Sequence, residues 1–363
     1  MSRKYNVLIM GASYGSLLGA RLLLAGHDVR LVCLPAEAAL IESEGFRVRL
    51  PAKGSNEQVE IDSRRLPGRV SASGADAADP QRHDLVALAM QEPQYASPGV
   101  RELLARTARA KVPCMSIMNM PPLAYLARIS SVDVAGLRGC YTDPTVWDAF
   151  DPALMTLCSP DPQAFRPPDE KVNVLQVSLP TNFKAARFAS DANTAMLNDL
   201  ARDIEASRLE TPRGPVELPV KLKVHESIFV PLAKWSMLLT GNYRCVQPDG
   251  MRSIRDAVHA DPRASREVYE WVARLCKALG AADADLVPFE KYASAAQGLV
   301  KPSSAARALA AGARNIERVD RLVQTIGAQK GMRLPAVDEL VARVDAWLAR
   351  NRRAAAGEPA RVA

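Results

Sequence analysis

The apolar positions of this 363-residue chain change their period along its length. Towards the amino end they fall into short continuous runs alternating with helically spaced stretches. Beyond about residue 185 they recur mainly at three- and four-residue intervals, the spacing of an amphipathic helix. The first run, residues 6–10, has the length of a buried strand. Small residues between Gly11 and Gly15 predict a tight turn, and residues 16–25 carry Leu17, Leu18, Leu22 and Leu24 at helical spacing. Gly26 stops that helix, and residues 29–32 predict a second strand. Strand, glycine turn, helix and strand make a right-handed crossover of the kind that opens a doubly wound parallel sheet. The fold class read from this pattern is α/β.

The same reading continues down the chain. After Leu34-Pro35-Ala36-Glu37 a short helix is expected to run to Glu44, with Gly45 as its C-cap. Residues 46–50 alternate apolar positions with Arg47 and Arg49, as a half-exposed strand does, and residues 64–80 read as a loop rich in Ala, Ser and Asp. Residues 84–90 read as a buried parallel strand, 98–110 as an amphipathic helix and 112–118 as a further strand. Asn119, Met120, Pro121 and Pro122 break that strand at its carboxyl end, where doubly wound sheets bind ligands. Residues 140–180 are turn-rich, with a short strand candidate at 172–177. Helices are then expected at 193–207, 231–244, 263–279, 303–312, 315–330 and 336–350, with residues 219–230 as a connection. The expected organisation is a sheet domain over 1–185, an all-helical domain over 186–353 and a disordered tail over 354–363.

Composition narrows the function classes. With 48% hydrophobic and 24% charged residues, the chain has material for a sizeable core. A net charge of +7 favours an anionic or polar small-molecule ligand. The basic residues form no stripe interleaved with aromatics, so no nucleic-acid partner is expected. The six cysteines make no Cys-x-x-Cys pair and the four histidines no metal-ligand spacing, so no metal site is expected. Reduced cysteines, the absence of a bilayer-length apolar run, and Ser2, Arg3 and Lys4 leading directly into the first strand point to a cytoplasmic protein without a membrane partner.

The glycine turn, Gly11-Ala12-Ser13-Tyr14-Gly15-Ser16, approaches the dinucleotide fingerprint Gly-x-Gly-x-x-Gly but is one residue short before Gly15. Ser13 stands where a second glycine would let a pyrophosphate approach the backbone. Either the turn holds a nucleotide in an altered way, or this Rossmann-like unit has lost its nucleotide.

Several segments together resemble the ketopantoate reductase family. Gly15 to Leu22 and Ala25-Gly26-His27-Asp28-Val29 are similar to the family's opening, and residues 84–89 to its fourth strand. Ile117-Met118-Asn119 is similar to the strand ending in Gln-Asn-Gly. Trp235-Ser236-Met237-Leu238-Leu239 is similar to the central Trp-x-Lys-Leu helix, and Lys301-Pro302-Ser303-Ser304 to the segment before the last helices. The resemblance implies a Rossmann domain followed by a helical domain of the 6-phosphogluconate dehydrogenase type. It also implies NADPH-dependent reduction of a 2-keto acid, with a lysine assisting the developing alkoxide, and a homodimer. The matching positions depart from that chemistry. The catalytic lysine falls at Met237, a second lysine at Gln91, an asparagine at Gly241, and the arginine that pairs with the 2′-phosphate at Leu34. Asn119 matches and could hydrogen-bond cofactor or substrate. The family's acidic residue corresponds to Glu317 or to Asn315.

The candidate catalytic residues are therefore Tyr14, Gln91, Asn119, Lys234, Met237 and Glu317. The candidate cofactor-binding residues are Gly11, Ala12, Ser13, Tyr14, Gly15, Ser16 and Leu34. Lys234, three residues before Met237 on one helical face, could supply the missing ammonium, or could be a solvated surface lysine. Tyr14 could stack on a ligand, donate its hydroxyl, or fill the space of an absent pyrophosphate. His225-Glu226 could be an acid–base pair or a helix-entry cap. Met115, Met118 and Met120 read as core or wall packing, with Met120 and Met237 as one way to make an apolar pocket, and Trp235 as core. The expected activity is reduction of a small carbonyl or imine, not ketopantoate, with weakly held NADP or NAD. The competing reading is a reductase-fold protein that uses no nicotinamide and binds a ligand or runs non-redox chemistry. Both readings expect the working residues in a cleft between the two domains.

Overall fold

The computed structural model describes residues 3–54 and 57–357. β1 (Asn6–Met10) is buried at all but its first residue. α1 (Ala12–Leu24) follows after a single residue. The expected loop at 11–15 is thus the first turn of a helix. Gly11 turns the chain alone at φ 107°, a left-handed backbone that favours glycine. β2 (Asp28–Val32) and β3 (Arg47–Pro51) form where expected; α2 (Pro35–Glu44) already starts at Pro35, ahead of the expected helix, and Gly45 ends it at φ 74°.

β4 (Gln58–Asp62) and β5 (Val70–Ser73) follow. β5 lies inside the stretch expected to be loop. Its small residues have weak strand propensity, and pairing with β2 in register Val29↔Val70 overrides it. Then come β6 (Leu85–Leu88), α3 (Pro98–Ala110), β7 (Cys114–Ile117) and the short α4 (Leu123–Leu126). β8 (Met155–Ser159), β9 (Gln163–Phe165), β10 (Val174–Leu179) and β11 (Phe183–Ala186) complete the turn-rich stretch. α5 (Asp191–Ala206) leads through the hairpin of β12 (Leu209–Thr211) and β13 (Gly214–Val216) to β14 (Leu222–His225).

Eight strands form one sheet in the order β14-β11-β8-β7-β6-β1-β2-β5, parallel except where β11 runs against β8. The order reverses between β1 and β6, the switch point of a doubly wound sheet. A second sheet, β4-β3-β10-β9, shares one continuous core with the first, including Ile9, Leu17, Phe46, Leu175, Phe183 and Leu197.

The chain divides into two compact units. The first holds the residues up to Met90, with Gln94–Arg128 and Thr145–Pro231. The second holds Gln91–Pro93, Ile129–Pro144 and the residues from Leu232 onwards. The division after Pro231 falls later than the expected one at 185/186. β14, expected to be a connection, pairs with β11 in the main sheet, and Leu197, Leu200 and Ile204 of α5 join its core. The second unit also takes two short segments from within the sheet half of the sequence.

The second unit is helical. Its central segment passes from a 3₁₀ turn into α6 (Lys234–Met237), a π-helical turn at Leu238–Asn242 and a 3₁₀ turn at Tyr243–Cys245. The expected single helix at 231–244 is therefore a helical segment of changing pitch. α7 (Ile254–His259), α8 (Pro262–Leu279), α9 (Phe289–Ala296), α10 (Ser304–Ala310), α11 (Val319–Gln329) and α12 (Pro335–Ala355) follow. α7 and α9 were absent from the pattern. α11 starts later than expected, leaving Asn315 and Glu317 before it. α12 continues into the expected tail, of which residues 358–363 lie outside the described residues.

Candidate functional site

In the first unit the site is built on the junction of β1 and α1. The Gly11 amide donates to the Val32 carbonyl at 2.8 Å, and the Ala89 amide donates to the Met10 carbonyl at 2.8 Å. The junction thus sits between the ends of β2 and β6. A Cβ on Gly11 would lie 2.8 Å from the Ala89 carbonyl oxygen and 2.7 Å from Met90 Cγ; one on Gly15 would lie 2.5 Å from Ile9 Cγ2. These glycines let α1 start at the strand end and press against β1, the parts played by the first and last glycines of the fingerprint. No side chain caps α1 and no acidic residue lies in its first turn. Its N-terminal amides and positive dipole end therefore fit an anionic pyrophosphate. Ala12 is buried, Ser13 is exposed, and the Ser16 hydroxyl donates back to the Ala12 carbonyl.

Tyr14 is engaged within the protein. Its hydroxyl donates to the Pro162 carbonyl at 2.8 Å, and its ring meets Phe183 edge-on with centroids 5.8 Å apart. Burial, reinforced by Cys158 and Asp161, pushes its hydroxyl well above the ordinary range, so it stays protonated. Asn119 is half-buried just past β7, beside buried Met118 and Met120. Leu34 is 76% exposed, the most exposed large apolar residue among those described. His225 ends β14 rather than entering a helix, and Glu226 pairs with Arg187 at 3.0 Å.

In the second unit Lys234 and Met237 are the half-buried positions of α6, while Trp235 and Ser236 between them are buried. Both therefore occupy one face. The Met237 carbonyl, at the start of the π turn that follows, accepts from the Tyr292 hydroxyl at 3.1 Å. That hydroxyl would lie 2.0 Å from a Cβ at Gly241. The space for a side chain at 241 is thus taken by a tyrosine from α9, and π turns of this kind recur at functional sites.

Gln91 is exposed, but the next residue, Glu92, is buried. Thr142 grips the Glu92 carboxylate through its amide at 2.8 Å and its hydroxyl at 2.9 Å. Burial raises that carboxyl above its ordinary range against these hydrogen bonds. The Glu92 amide donates to Glu317 Oε1 at 3.3 Å, so the Gln91 segment and Glu317 come together. Asn315 is exposed and accepts from Arg352 at 2.9 Å. Glu92 and Tyr292 were not singled out in the sequence. Glu92 had no motif around it, and Tyr292 lies 55 residues from the carbonyl that it holds.

Among the described residues, no group of three or more His, Cys, Asp or Glu side chains is placed to hold a metal ion. No helix of these residues is long and apolar enough to cross a membrane.

No protein-family model matches the chain, and no curated protein sequence does. Solved structures match it over nearly its whole length. The 2-dehydropantoate 2-reductase of Methylococcus capsulatus is 15% identical with a TM-score of 0.66, over 95% of this chain and 97% of that one. A D-mandelate dehydrogenase solved with NADH and anilino(oxo)acetate is 14% identical with a TM-score of 0.63, over 96% of this chain and 99% of that one. A dimeric ketopantoate reductase from Staphylococcus aureus is 10% identical with a TM-score of 0.58, over 95% of this chain and 99% of that one. Many of the matching structures are ketopantoate reductases, also called 2-dehydropantoate 2-reductases, and theirs is the fold that this chain adopts.

Proposed function

We propose that this protein is an oxidoreductase that reduces a small carbonyl or imine substrate with NAD(P)H, and that ketopantoate is not that substrate. The supporting observation is the β1–α1 junction. Gly11 and Gly15 have no room for a side chain, and the helix that they place at the sheet's switch point has an uncapped, acid-free first turn. Sequences that no longer held a phosphate group would be free to cap that helix. D-mandelate dehydrogenase, whose structure holds NADH, shares the fold.

A bound reduced nicotinamide supplies the hydride. The chain's own groups then bind, orient and protonate. Met237 and Gln91 can carry no charge to a developing alkoxide. Lys234, on the half-buried face of α6, is the ammonium that we assign to that role, and Asn119 a hydrogen-bonding group for cofactor or substrate. An imine brings its own basic nitrogen and needs the lysine less than a ketone does. We further propose a cytoplasmic homodimer.

One observation favours the second reading, a binding protein or non-redox enzyme without nicotinamide: α1 begins immediately after Gly11, so Ser13 lies within its first turn. Following NADH and NADPH oxidation with a panel of 2-oxo acids, aldehydes and cyclic imines tests the proposal. Turnover with any of them supports it; none, together with no nucleotide binding, leaves the second reading.

A further inference from the structure

Three arginines of the second unit gather around one short hairpin. It pairs β15 (Val246–Gln247) with β16 (Gly250–Met251). Arg244 precedes the hairpin, Arg252 follows it, and Arg343 reaches it from α12. The Arg252 amide donates to the Cys245 carbonyl at 3.0 Å, and its Nε donates to the Arg244 carbonyl at 3.1 Å. Arg343 Nη1 donates to the Val246 carbonyl at 3.4 Å, and Arg244 Nη1 to the Ser265 hydroxyl of α8 at 2.6 Å. Trp347, one turn beyond Arg343, donates to the Gln247 carbonyl at 2.7 Å and holds the hairpin against α12. All three arginines are half-buried, and each guanidinium bonds only to neutral groups, with most of its donors unused. Among the described residues none of the three is ion-paired. The acids around them are engaged elsewhere: Asp256 with Arg255, Asp345 with Arg318 and Arg321, and Asp261 with the Ala264 amide at the start of α8. Burial lowers Arg244 and Arg252 from the ordinary guanidinium range; Arg252 and Arg343 add to this at Arg244, and Arg343 at Arg252, against the pull of Asp261 and Asp256.

We propose that Arg244, Arg252 and Arg343 form a binding site for a phosphate monoester. The inference does not rest on the reductase reading above. Three cations brought together without a carboxylate repel one another, and a dianion among them turns that repulsion into attraction. The donors come from three backbone origins: a 3₁₀ turn, the residue after β16, and a helix. A phosphate monoester offers three terminal oxygens that accept from several directions, whereas a carboxylate offers two in one plane. The half-buried setting strengthens each contact by keeping part of the solvent away. The hairpin bonds already fix the backbones that carry the arginines, so little further ordering is needed on binding. The chain's net charge of +7 draws anions in general, and charge left unbalanced at one hairpin gives them a place to stop.

The test is calorimetric titration of the full-length protein at low ionic strength with phenyl phosphate, with benzoate as the carboxylate of similar shape. It is run for the unaltered chain, Arg343→Gln, Arg252→Lys and Arg274→Gln, with thermal melts to confirm folding. Arg274 is exposed on α8, and replacing it removes the same charge outside the cluster. The unaltered protein should bind phenyl phosphate with a Kd of about 0.1–1 mM, and benzoate at least ~10-fold more weakly. Arg343→Gln should weaken phenyl phosphate by ~10–100-fold, the worth of a hydrogen bond to a charged group. Arg252→Lys keeps the charge and loses the fork, and should weaken it by about 3–10-fold. Arg274→Gln should change it by less than about twofold, as expected for a screened surface charge. No binding, binding matched by benzoate, binding unmoved by Arg343→Gln, or an equal loss in Arg274→Gln overturns the inference. Should Arg343→Gln fail to fold, Arg252→Lys decides, and an unchanged Kd there overturns it too.

Discussion

Arg21 reaches from the buried face of α1 to Val220, donating from Nε to the Val220 carbonyl at 3.1 Å. Val220 itself has a backbone at φ 65°, a region that β-branched residues avoid. A second Arg21 nitrogen donates to the Ile204 carbonyl, in the last turn of α5, at 2.9 Å. One side chain, 1% exposed, therefore ties the glycine-turn helix to the end of α5 and to the approach of β14. Burial lowers its guanidinium to about 10, still charged at neutral pH. Arg21→Met should leave two carbonyls without their donors and cost about 2–4 kcal/mol of stability. Arg21→Lys should recover little of it, since one ammonium cannot span both carbonyls. Urea unfolding of the three proteins measures this, and a loss under about 0.5 kcal/mol, typical of surface changes, would contradict it.

A second prediction concerns pH. Nδ1 of His27 accepts from the Tyr5 amide at 3.3 Å, and Nε2 lies 3.5 Å from Asp203. Burial lowers the His27 pKa below 6.5, against the opposing pull of Asp203, Asp28 and Asp199 and alongside that of Lys4. The unfolded chain therefore binds a proton at a higher pH than the folded one. Stability should be full above about pH 6.5 and should fall as the pH drops from there through the folded-state value. His83, also lowered by burial, acts in the same window. Replacing His27 with Gln should flatten part of the slope of unfolding free energy between about pH 7 and 5, and an unchanged slope would count against this account.

The central helical segment gives a packing test. At Gly241 a Cβ would fall 2.0 Å from the Tyr292 hydroxyl and 3.0 Å from Ile254. Gly241→Ala should therefore cost about 1–3 kcal/mol through overpacking. Tyr292→Phe removes the clashing atom together with the hydrogen bond to Met237. The double variant should be more stable than the two single costs summed. Additive costs in a thermodynamic cycle would show that the hydroxyl is not what keeps position 241 a glycine.

The parts of this molecule that were legible in the sequence are those written in local pattern. The β1–α1–β2 crossover, the amphipathic helix Pro98–Ala110 and the Gly45 stop are set by runs, spacing and one glycine each. Val70–Ser73 was not legible, because a strand of small residues forms only when β2 is beside it. The late boundary was hidden for the same reason, since β14 is a strand by its pairing with β11. The start of α1 depended on a single backbone angle at Gly11. In the candidate site, Met237, Gln91 and Leu34 stood out as departures from a motif. Glu92 did not, because Thr142, which grips its carboxylate, is 50 residues away and belongs to no motif. Contacts of that kind are products of the fold, and composition carries no trace of them.

Ketopantoate should not be a useful substrate. The resemblance puts the family's two lysines at Met237 and Gln91, neither of which can carry a charge, and the side-chain space at Gly241 is taken by Tyr292. Removing one preorganised donor costs ~10²–10³ in rate. NADPH oxidation with ketopantoate at ordinary enzymic rates, roughly 1–10³ per second, would refute this.

Nicotinamide nucleotides should bind weakly. A pyrophosphate is held when helix amides converge on it from a turn of fixed length. Here α1 starts one residue after β1, which moves those amides, and Ser13 brings a side chain to the first turn. Tyr14, in the same turn, is committed to Pro162 and Phe183. At position 34, where the resemblance implies an arginine for the 2′-phosphate, Leu34 contributes no charge. Each charge-assisted hydrogen bond forgone is worth about 1.5–3 kcal/mol, or ~10–100-fold in affinity. From a dissociation constant near ~1 μM, such losses bring NADP(H) to about 0.1 mM or weaker. Titration with all four oxidised and reduced nucleotides measures this directly. Micromolar NADP(H) binding would mean that the short turn holds the phosphates through groups other than these.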